Sequence, residues 1–174
     1  QNGEILVGGI NGINTFFPEK IKESNIVPNL KITDFYLFNN KIEVLRKYNN
    51  RIVLNKTITL TDSIKLLPYQ NDFRFEFSAL IFSDPSKVAY KYKLEGYDKE
   101  WNLTDSKHRS ANYTNLKHGK YTFKVMATNP DGIWDNQVRS IYIHIKTPFA
   151  YTWVAYFIYI AIITLLFIYF ANFS

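Results

Sequence analysis

Three carboxylates, Asp98, Glu100 and Asp105, fall within eight positions and surround Trp101. A carboxylate pair beside an aromatic platform is the equipment of a glycosidase, one group protonating the leaving oxygen while the other attacks or activates water. Lys99, Lys107 and Arg109 interleave with them, so the segment reads as a loop of solvated ion pairs instead. His108, His118 and His144 are singletons without metal-ligand spacing. The chain has no cysteine, which excludes a disulfide scaffold, a thiolate metal site and a Cys nucleophile. The stretch GGINGI at residues 8–13 has glycines but lacks the Lys-Ser/Thr of a phosphate loop and opens no helix. Asn55, Asn102 and Asn112 begin glycosylation sequons, patterns short enough to arise by chance. No catalytic residue, metal or cofactor is expected, and no ligand-binding residue is assigned.

Binding chemistry is the next possibility. Arg46, Lys47, Arg51 and Lys56 form a basic stretch around Tyr48. The formal net charge is +6, but it is spread along the chain, so nucleic acid is not an expected partner. Tyr97, Trp101 and Trp134 are aromatics that could stack on sugars; anchoring of loops is the plainer reading.

The elements that must position these residues are of two kinds. The 174 residues are 47% hydrophobic and 17% aromatic, which excludes a disordered chain. The mean hydropathy of −0.19 is an average over unlike parts. Lys146 is the last charged residue, and Trp153–Ala171 reads WVAYFIYIAIITLLFIYFA. Those 19 residues would cover roughly 28 Å as a helix, the thickness of a hydrocarbon core. Their Val, Ile, Leu and Phe side chains sum to roughly −3 to −7 kcal/mol for insertion. Tyr151, Trp153 and Tyr156 at one end and Tyr169 near the other are placed as an aromatic belt. A membrane span over 149–171 is therefore expected. Orientation is not legible, because the positive-inside rule concerns short loops and not folded domains. There is no charged n-region followed by an apolar h-region, and the chain is expected to be an internal piece of a longer polypeptide.

The rest alternates with period two. Phe73, Phe75, Phe77, Ala79 and Ile81 share one face in 72–82; Tyr90, Tyr92 and Leu94 do so in 88–95. Tyr121, Phe123, Val125 and Ala127 follow in 120–129, and Ile141, Ile143 and Ile145 in 138–146. Such runs are half-buried antiparallel strands. Leu30–Phe38 and Ser63–Leu67 are further candidates; Ile32 and Phe35 sit at odd spacing, which predicts a bulge or an edge. Turn signals between the runs point to an all-β fold, a fibronectin- or immunoglobulin-like antiparallel β-sandwich over 28–146. Leu116, Gly119 and Tyr121 have the spacing of a tyrosine corner. Asn2-Gly3 and Asn11-Gly12 predict a β-hairpin within residues 1–23, and a lone hairpin needs a neighbour.

Two stretches carry a resemblance. GEILVGGINGINTFFPEKI resembles the closing blade of the β-propeller in the sensor half of bacterial hybrid two-component regulators. DFRFEFSALIFSDPSKVAYKYKLEGYDKEW and RSANYTNLKHGKYTFKVMATNPDGIW resemble the triple-tyrosine (Y_Y_Y) domain that follows it. The aromatic signature then falls on Tyr90 or Tyr92, Tyr113 and Tyr121, with Gly96, Trp101, Leu116, Gly119 and Trp134 at the other marked places. The resemblance implies a sensor in the inner membrane with residues 1–146 in the periplasm. It implies an oligosaccharide ligand bound mainly by the propeller, a homodimer formed through the sandwich, and a histidine kinase beyond the membrane. Almost all of the propeller and everything cytoplasmic are absent here, so no kinase His or receiver Asp is carried over.

The expected role is a juxtamembrane relay through Lys146, Thr147 and Pro148, a linker too short to act as a flexible tether. The alternative is a membrane-anchored binding or adhesion module without signalling.

Overall fold

A computed structural model of the chain describes residues 3–10, 12–20, 27–81 and 84–173. At the N-terminus β1 (Ile5–Gly9) pairs antiparallel with β2 (Gly12–Phe16), placing Ile5 opposite Phe16. Every residue of both strands is exposed. Asn2 and Asn11 of the turn signals lie outside the described residues, as do 21–23 of the N-terminal range.

The next eleven strands are β3 (Lys31–Leu37), β4 (Asn40–Lys41), β5 (Lys47–Tyr48), β6 (Arg51–Ile52), β7 (Ser63–Leu66) and β8 (Phe73–Ser78), then β9 (Tyr90–Glu95), β10 (Asn102–Thr104), β11 (Ser110–Tyr113), β12 (Gly119–Ala127) and β13 (Arg139–Ile145). Two sheets result: a five-stranded one in the order β10-β9-β12-β13-β7, and a four-stranded one in the order β11-β8-β3-β4. All pairs in them are antiparallel except β7 with β13, which run parallel. β5 and β6 form a separate two-stranded hairpin.

The period-two pattern explains which faces meet. Phe73, Phe75 and Phe77 of β8 and Phe123, Val125 and Ala127 of β12 are buried, while the residues between them are half-exposed. Phe75 stacks on Phe123 at 4.6 Å and joins the two sheets. Phe35 approaches Phe75 at 5.1 Å. The odd spacing of Ile32 and Phe35 is resolved by a bulge: the register of β3 against β8 shifts between Ile32 and Asp34, so both apolar side chains are buried. Tyr92 differs from the strict alternation and is only half-buried. It lies toward the edge, beside the short strand β10.

The registers also give the sandwich two poles. β3 begins opposite the end of β8, with Lys31 facing Ser78. β13 ends opposite the start of β12, with Ile145 facing Gly119. Chain coming from the hairpin therefore joins the upper pole, and chain going to the helix leaves from the lower one.

The α-helix α1 (Trp153–Phe173) begins later than the expected Phe149. Phe149–Tyr151 is a separate 3-10 turn, with Pro148 preceding it. Thr152 is extended, at φ −86° and ψ 151°. Its carbonyl accepts the N–H of Tyr156 at 3.2 Å, so Thr152 stands where a helix N-cap stands. An apolar run shows that a helix exists but not where it starts. The proline signal belongs to the 3-10 turn, and the helix begins only after Thr152. Within α1 the only hydroxyl besides tyrosine, on Thr164, donates to the Ala161 carbonyl at 2.9 Å.

Candidate functional site

Three tyrosine hydroxyls hold the sandwich at its poles. At the upper pole the Tyr90 hydroxyl accepts the Ala79 N–H at 3.1 Å and ties β9 to the end of β8. At the lower pole Tyr113 donates to Asp98 Oδ2 at 2.8 Å, linking β11 to the turn after β9 in the other sheet. That same oxygen accepts the Leu94 N–H at 2.7 Å, and the Asp98 N–H donates to the Leu94 carbonyl at 2.8 Å. The third hydroxyl, on Tyr121, donates to the Lys117 carbonyl at 2.8 Å and closes the corner before β12. Leu116 is buried in that corner, and its N–H donates to the Asn71 carbonyl at 3.2 Å. Burial raises the Tyr113 pKa well above the ordinary tyrosine range, and the hydrogen bond to Asp98 adds to it. Burial also raises Tyr92 and Tyr121, helped by the charges of Asp98 and Tyr97 respectively. Gly96 packs against this corner at φ +93°, and a Cβ there would lie 3.1 Å from the Tyr121 ring. Only glycine fits both demands.

On the outer face of the five-stranded sheet, Lys91 lies between two indoles. Its amine is 4.4 Å from the Trp134 ring centre and 5.5 Å from that of Trp101. Trp134 bridges back to Thr128. The two tryptophans thus anchor their loops to β9. Tyr97 stays exposed and meets Tyr113 edge-on at 5.8 Å.

The chemistry-bearing residues do not converge. Asp98 is tied to backbone and to Tyr113, not to a lysine as the ion-pair reading expected, because the tight turn offers it an N–H. Asp105 accepts the N–H groups of Lys107 and His108 and approaches the His108 ring at 2.9 Å. These contacts, the His108 ring first, hold its carboxyl below the usual range. Glu100 is exposed. His118 lies 6.2 Å from the Tyr151 ring, and His144 faces outward on β13. The basic stretch is split: Arg46 pairs with Glu43 at 2.7 Å, Arg51 donates to the Lys65 carbonyl at 3.2 Å, and Lys56 reaches Asp62 at 3.8 Å. Tyr48 packs against the core.

What the fold does build is a joint at the lower pole. The Lys146 N–H donates to the Leu66 carbonyl at 3.0 Å, the last backbone tie to the sheet. Thr147 and Pro148 follow, and Pro148 accepts the Tyr151 N–H at 3.0 Å. The Thr152 N–H and hydroxyl both donate to the Phe149 carbonyl, at 2.9 and 2.6 Å. The joint is thus longer than the two residues expected, yet its added residues are held in a hydrogen-bonded turn. The sequence signal for it was Thr152, a capping residue just before an apolar run.

Comparison with known proteins now bears on this arrangement. Residues 81–146 match the Y_Y_Y domain family. The match covers β9 to β13 and so contains all three tyrosines, Asp98 and the Lys91 clamp, while Ala79, the partner of Tyr90, lies just before it. The chain is also 28% identical over 159 residues to histidine kinase P4 of Formosa agariphila, covering 91% of this chain and 11% of that protein. Among solved structures it resembles the extracellular domain of a B. thetaiotaomicron protein described as a hybrid two-component system, at 29% identity and a TM-score of 0.63. A second such domain from the same organism matches at 28% identity and a TM-score of 0.60. Each alignment covers 84% of this chain and 19% of the other. The chain thus spans about a tenth of the kinase and about a fifth of these extracellular domains. Both resemblances read from the sequence, to the Y_Y_Y domain and to two-component sensors, are borne out.

Proposed function

We propose that this chain is the juxtamembrane part of a two-component sensor, passing ligand binding outside the membrane to a kinase inside through α1. The Y_Y_Y segment and the sensor relatives support the sensor role. α1 is long and apolar enough to cross a membrane and is almost wholly exposed, which supports a span. The observation that carries the relay is polar placement: the N-terminal segment meets one pole of a sandwich tied at both, and the helix leaves the other through a hydrogen-bonded turn. A displacement at the upper pole has no slack element in which to dissipate before the helix. In this reading residues 1–146 are periplasmic, two sandwiches pair, and an oligosaccharide bound by a preceding propeller changes the spacing or tilt of paired helices. No catalytic step is assigned to these residues. To swing such a switch from 1:99 to 99:1, the ligand must favour one state by about 5.5 kcal/mol.

The test is insertion of a flexible Gly/Ser linker between Lys146 and Phe149 in the full-length receptor. Ligand-dependent output should vanish while the protein still reaches the membrane. Unchanged ligand-dependent output would sink the relay and favour an anchored binding module.

A further inference from the structure

The lower pole carries basic charge that nothing in the fold neutralises. Lys65, His144 and Lys120 stand opposite one another on β7, β13 and β12. All three are exposed and line one open groove of about 420 Å³. The two amines flank the imidazole, one strand to each side, so no carboxylate stands between them in this row. Lys117 and Lys146, also exposed, extend this surface past the strand ends. Among the described residues these four lysines make no ion pair. The neighbouring carboxylates are engaged elsewhere: Glu95 with Lys124 at 2.6 Å, Asp98 with Leu94 and Tyr113, and Asp72 with the Asn115 N–H at 2.6 Å. The same pole touches the start of the membrane segment, through the His118–Tyr151 contact. Phe149, Tyr151 and Trp153 beside it are each more than 60% exposed.

We propose that this pole docks on anionic lipid headgroups of the bilayer that α1 crosses. The inference rests on the membrane-spanning reading above. Continuity and charge argue for it. Tyr151 lies two residues before α1, so the pole is held at headgroup level, where aromatic rings settle and a screening length of about 8 Å leaves amines in reach of the surface. Phosphate oxygens accept strong charge-assisted hydrogen bonds from lysine. Docking sets the tilt of the sandwich on the bilayer, the variable that the relay passes on.

The test uses the whole chain in nanodiscs at one chain per disc. The chain lacks cysteine, so a single Thr114→Cys in the exposed lower loop takes an environment-sensitive label alone. An Asn136→Cys label reports the upper pole. In discs of mixed phosphatidylcholine and phosphatidylglycerol the lower label should be shielded from an aqueous quencher, and in phosphatidylcholine alone it should be open. High salt should abolish the difference. Replacing Lys65, Lys117, Lys120 and Lys146 with Gln should lower the docked-to-free ratio roughly fivefold per amine, with the upper label unaffected and the melting temperature retained. Equal quenching of the lower label in both lipids overturns the docking. Shielding that needs two chains per disc assigns the pole to a second copy and also overturns it. Failure to enter phosphatidylcholine discs at all would instead overturn the membrane span, which is scored separately by co-fractionation with lipid.

Discussion

At the scale of single residues, the three tyrosines act through their hydroxyls as much as through their rings. Tyr121→Phe removes a bond to a backbone carbonyl and should cost about 0.5–1.5 kcal/mol in a urea melt. Tyr113→Phe removes a bond to a carboxylate and should cost more, about 1.5–3 kcal/mol. The Tyr113 pKa is raised on folding, so its contribution is fully present below the unfolded value of 10.0 and is lost as pH rises beyond it. The folded state keeps a proton there that the unfolded chain gives up. Stability should therefore fall above about pH 10, and less steeply in Tyr113→Phe; equal slopes would contradict the burial. The Tyr121 corner was legible from local spacing, Leu116 to Gly119 to Tyr121. The Tyr113–Asp98 tie was not, because its partners are 15 residues apart and meet only once the turn after β9 has formed. The Lys91 clamp was hidden for the same reason, since Trp134 reaches it from the loop between β12 and β13.

Among the elements, those with long alternation were legible and the short ones were not. β8, β12 and β13 each bury every second residue along most of their length, β9 buries Tyr90 and Leu94 with Tyr92 half-buried between them, and their own apolar spacing announces all four. β10 and β11 have three and four residues, with no run long enough to show a period. Their place is fixed by pairing with β9 and β8, which is tertiary information. The parallel pairing of β7 with β13 is equally invisible, since alternation does not encode strand direction. Packing between the sheets concentrates on Phe75, fully buried and stacked on Phe123. Phe75→Ala should cost about 3–5 kcal/mol, whereas truncating Tyr142, which is 62% exposed, should cost under about 0.5 kcal/mol. Thermal or denaturant melts of the two variants check the contrast. Equal losses would mean that the contact between the sheets is not where the folding energy lies.

The whole molecule is a body with its two connections at opposite ends. That placement has a mechanical consequence. Tension between the chain ends pulls β3 upward from its first residue and β13 downward from its last. Both pulls run along the strands, so the bonds of β3 to β8, and of β13 to β12 and β7, are loaded in shear and all at once. A pull across a single antiparallel hairpin would instead open its bonds one after another, like a zipper. Single-molecule stretching through positions 30 and 146 should therefore meet a distinctly higher rupture force than stretching across the hairpin of β12 and β13, from positions 119 and 145. If the two forces were equal, the strands would not be bearing the load together. A unit stiff between Leu30 and Lys146 would serve the proposed relay as a strut, able to push a helix as well as pull it.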